Sequence, residues 1–300
     1  MANKYFDNVL IENEIEDQFN SHLDLTQFCT IDNGLETADG MKVSIHRYSA
    51  TSATEALEIG AANSKDIEAT YTTLDYDIKR VQNTAKFYDE EAMRDPMIPY
   101  TLTNHSGVDM FNYEMASIYG EFKNATKVLP VTKFDFAAFV DAASMIDGED
   151  IEPNGVFAFV NPKDLASVKK ALGDLLKPNP ELIGRGYIGT VGGVNLYVKK
   201  DATEGVITVA TKSAVTLFNK VGTVVEDDRD ITTKQNVIVC SKYFVPALTD
   251  ERYAVKMAIG TATKATSWDA SATYYVVNGA GYLKVAEPVE ADLDNYYTIA

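Results

Sequence analysis

The chain has 300 residues, 46% of them apolar and 24% charged, so a packed core is within reach and wholesale disorder is not expected. A formal net charge of −17 argues against gripping nucleic acid, which needs clustered Lys and Arg, and against docking on anionic membranes. No stretch approaches the roughly 20 apolar residues of a membrane helix, and the start "MANKYFDNVL" lacks the basic-then-apolar order of a signal peptide, so the product is expected in the cytoplasm at synthesis.

Residues 1–38 are acidic around a short apolar run, Val9, Leu10, Ile11 and Ile15. They show no domain-sized pattern and read as an arm that packs on something else. Residues 41–48 alternate Met41, Val43 and Ile45 with Lys42, Ser44 and His46. Residues 67–82 alternate as well, with Leu74, Tyr76 and Ile78 set against Thr73, Asp75 and Asp77. This is the period of half-exposed strands. An Ala-, Ser- and Thr-rich linker, 49–66, joins them into a long hairpin whose tip cannot bury itself. A lone hairpin is marginal in water, so a neighbouring molecule is expected to complete it.

Asp89, Glu90 and Glu91 suit a helix N-terminus, and Pro96 and Pro99 interrupt a helix or start the next. Val108, Phe111, Met115, Ile118 and Phe122 then recur at helical spacing, which predicts a helix over about 100–125 with one apolar face. Residues 131–225 alternate helix and strand. "FDFAAFVDAASMID" predicts a helix with Phe136, Phe139, Val140 and Ala143 inward. "GVFAFVNP" is a short strand ending at Asn161-Pro162. "PKDLASVKKALGDLL" is a helix with Leu165, Val168 and Leu172 inward. "GVNLYVKK" and "GVITVATK" are strands, and "SAVTLFNK" is a short helix or turn. The segment reads as a compact α/β unit around a small sheet. Residues 221–260 read as a second sheet, covered by the helix at 100–125, so the chain leaves one domain, builds another and returns. Residues 261–300 form a tail with a hairpin around Asn278-Gly279.

Chemistry is sparse. Gly184, Gly186 and Gly189 match G-x-G-x-x-G, but the motif runs into a strand, where a dinucleotide site needs a helix. His22, His46 and His105 sit in three separate segments without ligand spacing. "DGEDIEPNG" (147–155) lacks the oxygen pattern of an EF-hand. Glu226, Asp227, Asp228 and Asp230 read as a solvated strand end, with a weak cation site or a basic neighbour as the alternative. Cys29 and Cys240 read as buried free thiols. The 17 tyrosines include pairs at 274–275 and 296–297 and suit interfaces, although core tyrosines give the same count. No catalytic, cofactor-binding or metal-binding residue is assigned, no cofactor is expected, and the chain does not read as an enzyme.

The order of these parts resembles the major capsid proteins of tailed phages, the Hong Kong 97-type fold. The resemblance rests on the extended loop at 40–82, the helix near 100–125, "FAFVNPKDLASVKKAL" (157–172), "IGTVGGVNLYVKK" (188–200), "ATKSAVTLFNK" (210–220) and "VVEDDRDITTKQNVIVCSKYFVPALTDERYAVKMAI" (224–259). It covers roughly residues 1–260. It implies an α+β chain: an N-terminal arm (1–39), an extension loop (40–83), a peripheral domain with a spine helix (84–130 and 226–260), an inserted axial domain (131–225) and a C-terminal extension (261–300). It further implies self-assembly into pentamers and hexamers of an icosahedral shell around double-stranded DNA, which the chain touches only weakly. A portal is implied, and a separate scaffolding protein or none, since no long helical segment precedes the arm. Assembly is expected in the host bacterial cytoplasm, with no membrane partner. Lys65 lies in the loop where some relatives form Lys–Asn links, but nothing marks a partner, so no cross-link is expected. The alternatives are an encapsulin-like shell around enzymes, a phage tail tube or sheath subunit, and a soluble α/β binding protein.

Overall fold

In a computed structural model, residues 23–37, 40–50, 54–59, 62–64, 66–146, 155–173, 186–279 and 281–299 are described. In chain order the strands and helices are β1 (Thr30–Asp32), β2 (Lys42–Ala50), β3 (Ala69–Asp77), β4 (Lys79–Tyr88), α1 (Asp89–Arg94), α2 (Met97–Lys123), β5 (Lys127–Val131), α3 (Phe136–Ser144), β6 (Val156–Val160), α4 (Leu165–Leu172), β7 (Tyr187–Val191), β8 (Val194–Val198), β9 (Val206–Thr211), β10 (Val215–Asp230), β11 (Gln235–Leu248), β12 (Ala254–Ile259), β13 (Ala262–Lys264), β14 (Tyr275–Asn278), β15 (Gly281–Lys284) and β16 (Tyr297–Ile299). They build a four-stranded sheet in the order β1-β10-β11-β4 and a ten-stranded sheet in the order β13-β16-β14-β15-β5-β12-β9-β6-β8-β7. The pair β2-β3 stands apart from both.

Helix α2 ties the two large sheets together. Its Met115, Ile118, Tyr119 and Phe122 share one core with Phe157, Phe159 and Tyr197 of the ten-stranded sheet and with Leu217, Phe244 and Leu248 of the four-stranded one. The aromatic rings meet edge-on: Tyr119 and Phe159 at 5.6 Å, Phe122 and Phe159 at 5.5 Å, Phe28 and Phe159 at 5.4 Å. Those are the separations that the quadrupoles of aromatic rings favour. The predicted apolar face holds in the second half of the helix and turns in the first half. Phe111 is 36% exposed, while Ser106, Met110 and Glu114 are buried. The cause lies in β4 and β11. Asn83 of β4 donates to the Ser106 carbonyl at 2.8 Å, and Lys242 of β11 reaches Glu114 at 2.5 Å.

A second core fills the opposite face of the ten-stranded sheet. Phe139 and Ala142 of α3 and Val168 and Leu172 of α4 pack there on Val160, Leu196, Val209 and Met257. Asp135 caps α3, accepting from the Ala138 amide at 3.1 Å. That start places Ala138, Phe139 and Ala142 inward and corrects the predicted face: Phe136 and Val140 point outward. The Asn161-Pro162 step opens α4. Asn161 accepts from the Lys163 amide at 2.8 Å, donates to the Ala202 carbonyl, and so joins two turns.

Several groupings differ from those read along the chain. The alternating stretch 67–82 is two strands broken at the buried Ile78, whose amide donates to the Met41 carbonyl at 2.8 Å; β4 pairs with β11, away from the arm. "SAVTLFNK" is a turn into β10, with Val215 and Leu217 buried, and holds no helix. Residues 221–260 do not make one sheet, because β12 sits between β5 and β9 at the centre of the ten-stranded one. The tail is part of the same sheet, since β15 pairs with β5. The hairpin at Asn278-Gly279 is present, with Gly279 at φ 60° as its turn requires. The apolar run Val9–Ile15 lies outside the described residues. Farther on, Leu23, Leu25, Phe28 and Cys29 are buried in the chain's own core, and β1 runs parallel to β10, so this part of the acidic arm packs on its own chain.

Candidate assembly surfaces

Two features project side chains that the chain does not bury. The first is the β2–β3 arm, in register from Lys42 opposite Asp77 to Ala50 opposite Ala69. One of its faces is a polar ladder. Lys42 and Ser44 converge on Asp75 at 2.6 and 2.7 Å, and His46 meets Thr73 at 2.9 Å. The bond from Lys42, then that from Ser44, holds the Asp75 carboxyl below the usual carboxylate range.

The other face anchors the root of the arm. Arg47 forms an ion pair with Glu251 and donates to the Leu248 carbonyl at 2.6 Å; Glu251 also accepts from the Thr126 hydroxyl at 2.7 Å. Burial lowers the Arg47 pKa and raises those of Tyr76 and Glu121. Tyr76 and Glu121 line an open cavity of about 390 Å³ under the root, with Tyr113, Phe244 and Pro246. Beyond the root, Leu57, Ile59, Ile67 and Tyr71 are exposed. The linker is therefore less uniformly small than its composition suggests. The arm is held at one end and presents apolar side chains at the other.

The second feature is the β10–β11 ribbon, paired from Val215 opposite Leu248 to Asp230 opposite Gln235. Strand β1 covers the outer edge of β10 only at Thr216–Phe218. From Asn219 onward that edge has no strand neighbour among the described residues. Open edges of this kind are templates for pairing with another chain. Val221, Val224, Val225 and Ile231 are exposed along the ribbon. Asp230 organises its end, accepting from the Thr232 amide and hydroxyl at 2.8 and 2.6 Å and from the Thr233 hydroxyl at 2.8 Å. The Thr232 hydroxyl first, and then these other bonds, pull its carboxyl down to about 2. Asn236 and Arg229 both hold Asp89, which ties the ribbon to the start of α1. Glu226, Asp227 and Asp228 stand exposed on β10.

The remaining residues singled out in the sequence do not converge. Gly186 and Gly189 lie in the turn and strand of β7, and Gly184 falls outside the described residues. His46 is on the arm and His105 on α2, while His22, Lys65 and residues 147–154 are also outside them. Among the described residues no three His, Cys, Asp or Glu side chains are grouped to hold a metal. Cys29 and Cys240 are buried free thiols, and burial raises the Cys29 pKa to about 11. Of each tyrosine pair, Tyr274 and Tyr296 pack into a small core with Trp268, and Tyr275 and Tyr297 are left less buried. The residue that sequence reasoning passed over is Arg47. Its signal was parity: it continues the inward series Val43, Ile45, where an apolar residue belongs.

No family model matches the chain, and no curated protein is similar to it. Solved structures do resemble it. The capsid of the cyanophage P-SCSP1u matches 80% of this chain and 89% of its own at 11% identity, with a TM-score of 0.62. A structure from Mycobacterium phage Che8 matches 79% and 90% at 12% identity and 0.60. A virus-like particle from Pyrococcus furiosus matches 85% and 100% at 11% identity and 0.54. The chain has the Hong Kong 97-type fold of tailed-phage major capsid proteins.

Proposed function

We propose that the chain is a major capsid protein, the self-assembling structural subunit of an icosahedral phage head that encloses double-stranded DNA. The observation that carries this reading is the fold joined to two projections, the arm and the ribbon, whose apolar side chains and open edge call for other molecules. In this reading the role is structural and no catalysis is performed. The arm within 40–83 lies across an adjacent subunit. The α3–α4 side within 131–225 lies at capsomer centres. Helix α2 and the four-stranded sheet form the periphery, and 261–300 extends the minimal fold. The partners are further copies in pentamers and hexamers, a scaffolding protein, a portal, and DNA through weak contacts, with assembly in the host cytoplasm. An encapsulin-like shell around enzymes is not favoured, because the resembling structures are overwhelmingly phage capsids.

The test is to express the chain with any adjacent scaffold gene and image the product by negative stain. Closed polyhedral shells are expected. A monodisperse monomer at every protein and salt concentration, with scaffold present, overturns the reading.

A further inference from the structure

The tail strands carry a second patterned surface. Directly opposed residues in paired strands share a face. The register therefore sets Lys264, Tyr297, Tyr275 and Lys284 in one row. The next row on that face holds Val277, Tyr282, Val128 and Lys256. The Tyr282 and Tyr297 rings are 5.3 Å apart. Lys123, at the end of α2, adds a fourth ammonium to this side, its Nζ 5.0 Å from the Tyr119 ring centre. Burial, then the charges of Lys284 and Lys123, hold the Lys256 ammonium below its ordinary pKa, which places the three cations within electrostatic reach of one another. Among the described residues no carboxylate pairs with Lys123, Lys256, Lys264 or Lys284, and Glu251, which reaches the nearby Thr126, is engaged by Arg47.

Four such lysines beside three tyrosines stand out on a chain with a net charge of −17. The same chain carries the complementary surface. Glu226, Asp227 and Asp228 are exposed on β10, next to the exposed apolar Val224 and Val225. No ion pair joins the two surfaces within the chain among the described residues. Acid meets base, and valine meets the broad amphipathic faces of tyrosine.

We propose that the Lys–Tyr face formed by β12 to β16 receives the acidic end of the β10–β11 ribbon from a second copy of this chain. The contact joins two different patches, so it is heterologous and propagates from subunit to subunit rather than stopping at a dimer. It rests on the self-assembly reading and names one of its contacts.

The experiment uses the full chain in three forms: Lys264→Glu with Lys284→Glu, Asp227→Lys with Asp228→Lys, and all four together. Association is followed by sedimentation velocity at low and high salt, and far-UV circular dichroism confirms folding at these exposed positions. Each pair alone is expected to weaken association roughly tenfold, and the combination to restore it. The aspartate pair is the sharper arm. It makes the chain less acidic, so general repulsion predicts stronger association where docking predicts weaker. Lys264→Gln with Lys284→Gln is expected to give a smaller loss than the reversal.

If the wild type closes into shells and either reversal leaves assembly unchanged, or the combination fails to restore it, this contact is wrong and the capsid reading stands. If the lysine variants lose affinity for a single-stranded oligonucleotide while self-association is unchanged, the face is a phosphate surface and the proposal falls. If the wild type never associates even with the scaffold present, both readings fall.

Discussion

Phe159 touches almost everything that matters in the main core. It contacts the rings of Phe28, Tyr119, Phe122 and Phe157 and is fully buried. Phe159→Ala is expected to cost about 3–5 kcal/mol, read from urea denaturation, and Phe159→Leu distinctly less. Cys29 offers a pH test. Its folded pKa, about 11, lies above the ordinary thiol value of 9.0, because burial disfavours the thiolate. The folded state therefore holds the thiol proton more tightly. That contribution to stability is complete below pH 9 and is lost as pH rises from 9 toward 11. Melting temperature is expected to fall over that window by more in the wild type than in Cys29→Ala. The burial of both thiols was legible, because an isolated cysteine in an apolar context has one ordinary use. Arg47 was legible only in its odd parity. Its ligands, Leu248 and Glu251, lie some 200 residues along the chain, beyond any local pattern.

At the scale of elements, Arg47 makes the arm a lever with one fixed end. Arg47→Ala removes the ion pair with Glu251 and the bond to Leu248. Partly exposed pairs of this kind are worth about 1 kcal/mol or less, so the melting temperature of the body is expected to move little. Backbone amides of Lys42–Ala50 and Ala69–Asp77 are expected to exchange markedly faster, as hydrogen–deuterium exchange would detect. Unchanged protection there would show that the strand pair orients itself without the anchor. Helix α2 shows why part of an element is legible and part is not. From Met115 to Phe122 its face is set by generic apolar burial, which spacing records. From Ser106 to Glu114 it is set by two specific polar partners, Asn83 and Lys242, which spacing cannot record. The same holds for α3, whose orientation follows from the Asp135 cap more than from the count of its phenylalanines.

For the whole molecule, strands were easier to read than their partners. The apolar runs of β6, β8, β9 and β12 announce buried strands, but nothing within β12 says that it belongs between β5 and β9. Sheet membership is decided by long-range pairing, and each run is compatible with either sheet. The arm was legible as a hairpin because its alternation is local and its two strands are near in sequence. Deleting residues 50–65 is accordingly expected to leave a folded monomer with unchanged thermal stability and to abolish shell formation under the microscope. Unfolding of the isolated subunit would show that the arm belongs to the body.

The position of β5 sets a timetable. This strand ends at Val131, yet its neighbours are residues 255–259 on one side and 282–283 on the other. A ribosome has long since passed Val131 before either edge of β5 is covered. Until then the central sheet stays open and the lysine–tyrosine face does not exist. Fragments released before residue 297 lack that face, so on the proposed reading the shell would draw its building blocks only from chains that extend past it, with the fold itself acting as the inspector.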